Sequence, residues 1–390
     1  MEEWCFVSFL SFDSKQSRQR KRLTQHKRHC IEYSSIVGGM AFRFFGFPQR
    51  SDMGWAATEW RTFKRCRTKV ILLSGATGCI GRQIWLNLMH HTQHRVKLIV
   101  RKDSLSKLDS NIWKKYSRRT QVLFTDLNDL RGLKSHLRDI DCAILTATSW
   151  GGEQVFSVNV DSTLQLIQWL PKDCHVLYFS TASIIDSHGC LLEEAYRYGT
   201  PYLQSKYVAL QRLLLENTCR RITVIFPTLV VGPHSHLANV TTQITTWKGL
   251  LQLVDVDASA HFIHAIDAAK VITYLMDFYP KTLFYTWHPS DPQRKLPAFV
   301  LGQPYFTADQ LIQSVCRKKR FLSIPRIPIL SLFPPFLISR LLLLLGATVD
   351  PWVLYCLRKR HFVYSHAVAP ENFGLVSQWR HISQLFSVQE

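Results

Sequence analysis

Val70-Ile71-Leu72-Leu73-Ser74-Gly75-Ala76-Thr77-Gly78-Cys79-Ile80-Gly81 is the stretch that decides the fold of this 390-residue chain. Its first part is a short run of Val, Ile and Leu, the pattern of a parallel strand buried on both faces. Three glycines follow at three-residue spacing, and behind them Ile80, Ile84, Leu86 and Leu88 begin a helical pattern. Each glycine has a distinct task. Gly75 lets the chain turn sharply as it leaves the strand, Gly78 bares the backbone to a pyrophosphate, and Gly81 lets the helix pack against its own strand. The helix N-terminus adds unpaired N–H groups and a positive dipole end. Strand, glycines and helix in this order predict nucleotide binding by a βαβ unit.

The rest of the composition bounds the answer. The length suits one large domain or two modest ones. Ten cysteines without a Cys-x-x-Cys pair fit a reducing, cytoplasmic setting and argue against a disulfide framework or a structural zinc. The net charge of +20 is unevenly placed: residues 1–69 hold 14 Lys/Arg against 6 Asp/Glu. The remaining body is moderately basic and has no basic-aromatic recognition motif, so nucleic acid is not the expected partner. Residues 1–66 show no stable period and no apolar core of signal length, and Glu2 and Glu3 oppose a secretory signal. They read as a disordered leader or an upstream extension, with Met53 as an alternative start; an organelle transit peptide is the other reading.

From Lys69 onward strands and helices alternate, the signature of a doubly wound parallel sheet of Rossmann type spanning residues 67–235. The cluster His90-His91-Thr92-Gln93-His94 falls in a helix-to-strand turn without an acidic partner and reads as a solvated turn rather than a metal site. The second strand, Val96–Val100, ends in Arg101. A carboxylate there would bind the ribose hydroxyls of NAD; a cation accommodates the 2′-phosphate of NADP, so Arg101 favours NADP(H), with NAD as the alternative. The third strand delivers Asp126-Leu127, where the carboxylate either accepts from the adenine amino group or caps the next helix. The fourth, Cys142–Thr148, ends in Thr146, Ala147 and Thr148, small enough for ribose and phosphates to lie across the strand tips. The fifth, His175–Phe179, ends in Ser180-Thr181-Ala182-Ser183. Beyond it, Tyr202 and Lys206 follow Pro201 at the start of a helix. At i and i+4 they share one helical face. The ammonium can stabilise the phenolate and bring an acid with an ordinary pKa of about 10 toward working range. The strand-end hydroxyl can then hold a substrate oxygen.

With these residues in place, the chain resembles an extended-type short-chain dehydrogenase/reductase of the NAD-dependent epimerase/dehydratase superfamily, from about Lys69 to at least residue 310. Ser74 to Gly81 resembles the family's cofactor loop, which implies cofactor contacts at Thr77, Cys79 and Ile80 beside the three glycines. Asp126-Leu127 resembles its adenine contact. The resemblance implies a catalytic set of Thr181 (with Ser183 second), Tyr202 and Lys206, the last two also touching cofactor. Phe226 to Pro233 resembles the loop near the nicotinamide and implies contacts at Pro227 and Leu229. His261 to Ala269 and Phe299 to Gly302 match later signatures. Thr-Ala-Thr-x-Trp-Gly-Gly-Glu and Phe-Ser-Thr-Ala-Ser-Ile are similar to stretches in a group of cyanobacterial NAD(P)-dependent oxidoreductases. Two departures, Ile184-Ile185-Asp186 for Val-Tyr-Gly and Phe226 for Arg, weaken any transfer of sugar-nucleotide substrates.

Residues 236–390 are expected to form a smaller, mostly helical substrate lobe, with returning Rossmann elements near 261–302. Its apolar segment, residues 321–357, is interrupted by Pro325, Pro328, Pro334, Pro335 and Arg340, so a straight membrane span is not expected. A buried lid over the substrate pocket is favoured over a peripheral membrane wedge. In the wedge, Arg340, Arg358, Lys359 and Arg360 would meet anionic headgroups. The expected function is hydride transfer between a nicotinamide and a carbonyl or secondary alcohol of a small molecule, without metal; a lipophilic substrate fits either reading of the apolar segment. An epimerase or dehydratase acting on a sugar nucleotide, a non-catalytic nucleotide-binding scaffold and a homodimer remain open alternatives.

Overall fold

The computed structural model describes residues 67–386, apart from 109, 217–220, 234–256, 278–284, 289, 319–339 and 341–349. The leader, residues 1–66, and most of the apolar segment, including Ile327 to Ser339 and Leu341 to Leu345, lie outside the described residues.

The opening stretch folds as its pattern dictates. β1 (Val70–Ser74) is buried along nearly its whole length, and α1 (Cys79–His91) starts directly behind Gly78. β2 (Arg95–Val100), β3 (Thr120–Phe124), β4 (Cys142–Leu145), β5 (His175–Phe179) and β6 (Arg221–Pro227) add to the same sheet. Their order is 6-5-4-1-2-3, and every neighbouring pair is parallel. β6 continues to Asp291–Leu301, whose last residues run parallel to it and whose first residues pair antiparallel with Tyr285–His288. This is a Rossmann-type α/β fold.

One apolar layer on the sheet packs α1 and the helix Ala265–Leu275 through Ile84, Trp85, Leu88, Val271 and Ile272. The other packs the helices Thr163–Trp169 and Pro201–Leu215 through Leu164, Ile167, Leu210 and Leu213. Sandwiched between, β1, β4 and β5 have no wet face, which is why they read as continuous apolar runs. Asp267, fully buried, accepts from the backbone N–H groups of Gln378 and Trp379 and pairs with Lys270, so the C-terminal stretch is tied back to the sheet.

Two expectations change. The turn after α1 is not simply solvated: His94 is buried, and its Nδ1 accepts from the Lys69 backbone N–H at 3.1 Å, while burial lowers its pKa. Cys356 is disulfide-bonded, an exception to the reduced state that the cysteine spacing predicts; Cys79, Cys142, Cys174 and Cys190 are thiols. Of the cations assigned to a membrane wedge, Arg358 is exposed. Lys359 packs over the Tyr355 and Phe362 rings, and Arg360 pairs with Asp257 at 3.6 Å. Among the described residues no helix is long and apolar enough to cross a membrane, and no group of three His, Cys, Asp or Glu could hold a metal ion.

Candidate active site

Because all these strands point the same way, their C-terminal ends meet along one sheet edge. The order reverses between β1 and β4, so the connections there leave to opposite faces and a crevice opens. A cavity of about 530 Å³ occupies it, within the range of small-molecule and cofactor sites.

The floor is the glycine loop. Gly75 has φ of +78°, a left-handed conformation that only glycine adopts without strain. A Cβ on Gly81 would sit 2.1 Å from the Gly75 carbonyl oxygen, so the turn closes only with glycine there. At Gly78 the nearest atom to such a Cβ is 3.4 Å away, and this residue faces the cavity as the N-cap of α1. Bare backbone, the N-terminal end of α1 and no acidic side chain in its first turn fit an anionic phosphate. Thr146 donates its hydroxyl to the Ser74 carbonyl at 2.7 Å, locking the tip of β4 to β1.

The cavity wall contains Gly75, Thr77, Gly78, Cys79, Ile80, Gly81, Arg101, Asp126, Leu127, Thr146, Ala147, Thr148, Tyr202, Lys206 and Pro227. Three expected residues, Leu229, Thr181 and the second-choice Ser183, are not on it. Leu229 gives way to Val230, one residue on, and Thr181 turns its Oγ1 to accept from the Ser183 N–H at 3.4 Å as the cap of a short 3₁₀ turn. Ser180 lies on the wall, with its hydroxyl buried and unpartnered. Asp126 is not a helix cap: its Oδ1 accepts from the N–H and the side-chain amide of Asn128, in a tight turn of its own. It is the cavity's single wall carboxylate among the described residues, whereas Arg101 and Lys206 supply positive charge.

Tyr202 and Lys206 lie on the first two turns of Pro201–Leu215, where Pro201 opens the helix. Both are buried. Lys206 Nζ donates to the Phe179 carbonyl at 3.0 Å and sits 5.9 Å from the centre of the Tyr202 ring. Burial pulls its pKa down to about 7.

A feature that sequence reasoning missed holds this pair. Ser157–Ser162 forms a π turn that carries Asn159, fully buried, into the site. Its Oδ1 accepts from the Ser149 N–H at 2.7 Å and the Thr148 hydroxyl at 3.0 Å. Its Nδ2 donates to the Ser149 carbonyl at 2.8 Å and to Ser205 Oγ at 2.9 Å. Ser205 in turn donates to the Tyr202 carbonyl at 2.7 Å. All four hydrogen-bonding places of the amide are used. The sequence signal for this was an Asn set between Val158 and Val160. Trp150, next to the clamped Ser149, stacks on the Tyr202 ring at 4.4 Å and 19° and also lines the cavity.

A family model described as the NAD dependent epimerase/dehydratase family matches residues 71–282. No curated protein matches the chain. Among solved structures, the chain is similar to a thiolation-reductase di-domain from an archaeal non-ribosomal peptide synthetase. Identity there is 15% and the TM-score 0.58, over 84% of this chain and 77% of that one. It is also similar to the terminal R domain of the myxalamid PKS-NRPS biosynthetic pathway, at 16% identity and TM-score 0.57, over 83% and 90%. A third is dTDP-glucose 4,6-dehydratase from Bacillus anthracis in complex with NAD, at 14% and 0.52, over 83% and 98%. At such identities the likeness is one of fold. None of these matches supports the cyanobacterial similarity.

Proposed function

The chain belongs to the NAD-dependent epimerase/dehydratase family, and on that premise we propose that it is an NADP(H)-dependent oxidoreductase acting on a carbonyl or secondary alcohol. The observation that carries the reading is a single cavity with two differently equipped ends. At β2 the wall carries Arg101; beyond β5 it carries Tyr202 and Lys206. Three strand spacings separate β2 from β5 in the sheet, roughly 14 Å. An extended dinucleotide spans such a distance, with its pyrophosphate over the glycine loop.

A bound nicotinamide supplies or takes up the hydride. The chain's own residues handle the oxygen and the proton. Tyr202 exchanges the proton with the substrate oxygen. Lys206, in its ammonium form, stabilises the phenolate left behind, and its burial strengthens that attraction. A hydroxyl at the end of β5 holds the substrate oxygen: Thr181 is the residue expected for it, but it lies off the cavity wall and accepts from the Ser183 N–H, whereas Ser180 beside it lines the cavity. Arg101 pairs with the 2′-phosphate of NADP.

Tyr202→Phe tests the chemistry, since it removes one oxygen and leaves the stacked ring. Turnover should fall by about 100-fold or more, with NADPH affinity and thermal stability close to wild type. Near-normal turnover would show that the proton comes from elsewhere. An epimerase or dehydratase returns its hydride within one cycle, so steady NADPH consumption by the wild type separates that reading from this one.

A further inference from the structure

Trp150 is the largest side chain on the cavity wall, and no step of the proposed chemistry uses it. It is half-buried, packs against the apolar layer around the Tyr202 helix, and lies nearly parallel to the Tyr202 ring at 4.4 Å. The placement is built into the fold. Asn159 grips the N–H and the C=O of Ser149, immediately before Trp150, and through Ser205 it grips the carbonyl of Tyr202. One buried amide therefore sets the register between the indole and the phenol. On the far side of Trp150 the loop shrinks to Gly151-Gly152, where an added Cβ would meet nothing within 4 Å. A flat aromatic side chain on the cavity wall thus stands beside the phenol that meets the substrate oxygen.

We infer that Trp150 is a specificity-determining residue, selecting carbonyl substrates in which a flat, apolar group flanks the reacting carbon. The inference rests on the carbonyl reading above. A substrate whose oxygen reaches Tyr202 brings a flanking substituent against the part of the indole that the stacked Tyr202 ring leaves open to the cavity. A planar π-system stacks there, while a puckered ring touches the same surface at fewer points and a hydrated polar group loses water without a partner.

The test uses the purified full-length chain, NADPH, and two ketones of similar size: acetophenone and cyclohexyl methyl ketone. The quantity read is the ratio of their kcat/KM values, compared across variants so that intrinsic reactivity cancels. The ratio should favour acetophenone by roughly threefold to tenfold more in wild type than in Trp150→Ala. Trp150→Phe should keep most of the preference, and Trp150→Leu, apolar but not flat, should lose it. The Phe and Leu variants carry the comparison by themselves if Ala does not fold. A ratio unchanged in the Ala and Leu variants overturns the inference and leaves the carbonyl reading standing. NADPH consumption with neither ketone overturns the carbonyl reading, and this inference with it.

Discussion

Lys206 is a buried ammonium with a backbone carbonyl as its hydrogen-bond partner, and the electrostatics of the site turn on it. Its pKa is about 7 in the fold against an ordinary value of 10.5, with burial as the cause. Between those values the unfolded chain binds the proton and the folded chain does not, so stability rises with pH across that window. Put the other way, the penalty for burying the charge is full below about pH 7 and fades as pH approaches 10.5. Lys206→Met should therefore melt several degrees above wild type at pH 6, a gain on the order of a few kcal/mol. The gap should shrink as pH is raised to 10. Loss of the bond to Phe179 shifts the variant by a pH-independent amount and leaves this trend intact. Thermal melts of both proteins at four or five pH values check it; a gap that does not change with pH would mean Lys206 is not desolvated. Tyr202 beside it is a local choice of residue, and that is why the pair could be read from the sequence: spacing i, i+4 behind a proline fixes a shared helix face without help from the rest of the molecule.

At the scale of elements, the π turn Ser157–Ser162 matters more to the site than its length suggests. Replacing Asn159 with Ala would strip partners from the Ser149 N–H, the Ser149 C=O and Ser205 Oγ inside the protein. Buried groups left unsatisfied cost about 1–3 kcal/mol each before relaxation. The expected result is a loss of about 2–4 kcal/mol in urea denaturation, together with a fall in turnover as Trp150 and Tyr202 lose their register. Unchanged stability would show that the clamp is incidental. Nothing in the sequence announces this element, because a π turn is set by how a helix meets its neighbours. The same holds for α1, where the apolar pattern pointed to Leu86 but the sheet buries Trp85 and Met89 and leaves Leu86 partly covered. His94 misled for a related reason: a polar turn looks wet until Lys69, 25 residues earlier, turns out to donate to it. β1 and β5, by contrast, were legible to within a residue, because a strand buried on both faces must be apolar at every position. The glycine loop was legible because its steric demand is local: 2.1 Å from a Gly81 Cβ to the Gly75 oxygen tolerates no other residue.

Over the whole molecule, sheet order converts separate strand ends into one site. β4 and β1 lie side by side, 68 or more residues apart in sequence, and the cavity runs across their tips from Arg101 to Tyr202. The wall is asymmetric in charge: Arg101 and Lys206 are its cations, and Asp126, its one carboxylate among the described residues, is partly spent on Asn128. A cofactor with an added phosphate at the β2 end suits that balance better than one without. The most direct measurement is a titration of the wild type and of Arg101→Ala with NADPH and with NADH, following nicotinamide fluorescence. The wild type should bind NADPH about tenfold or more tightly than NADH, and Arg101→Ala should lose most of that margin through NADPH alone, the worth of one charge-assisted contact. A wild-type preference for NADH, or an equal loss for both nucleotides, would contradict the account.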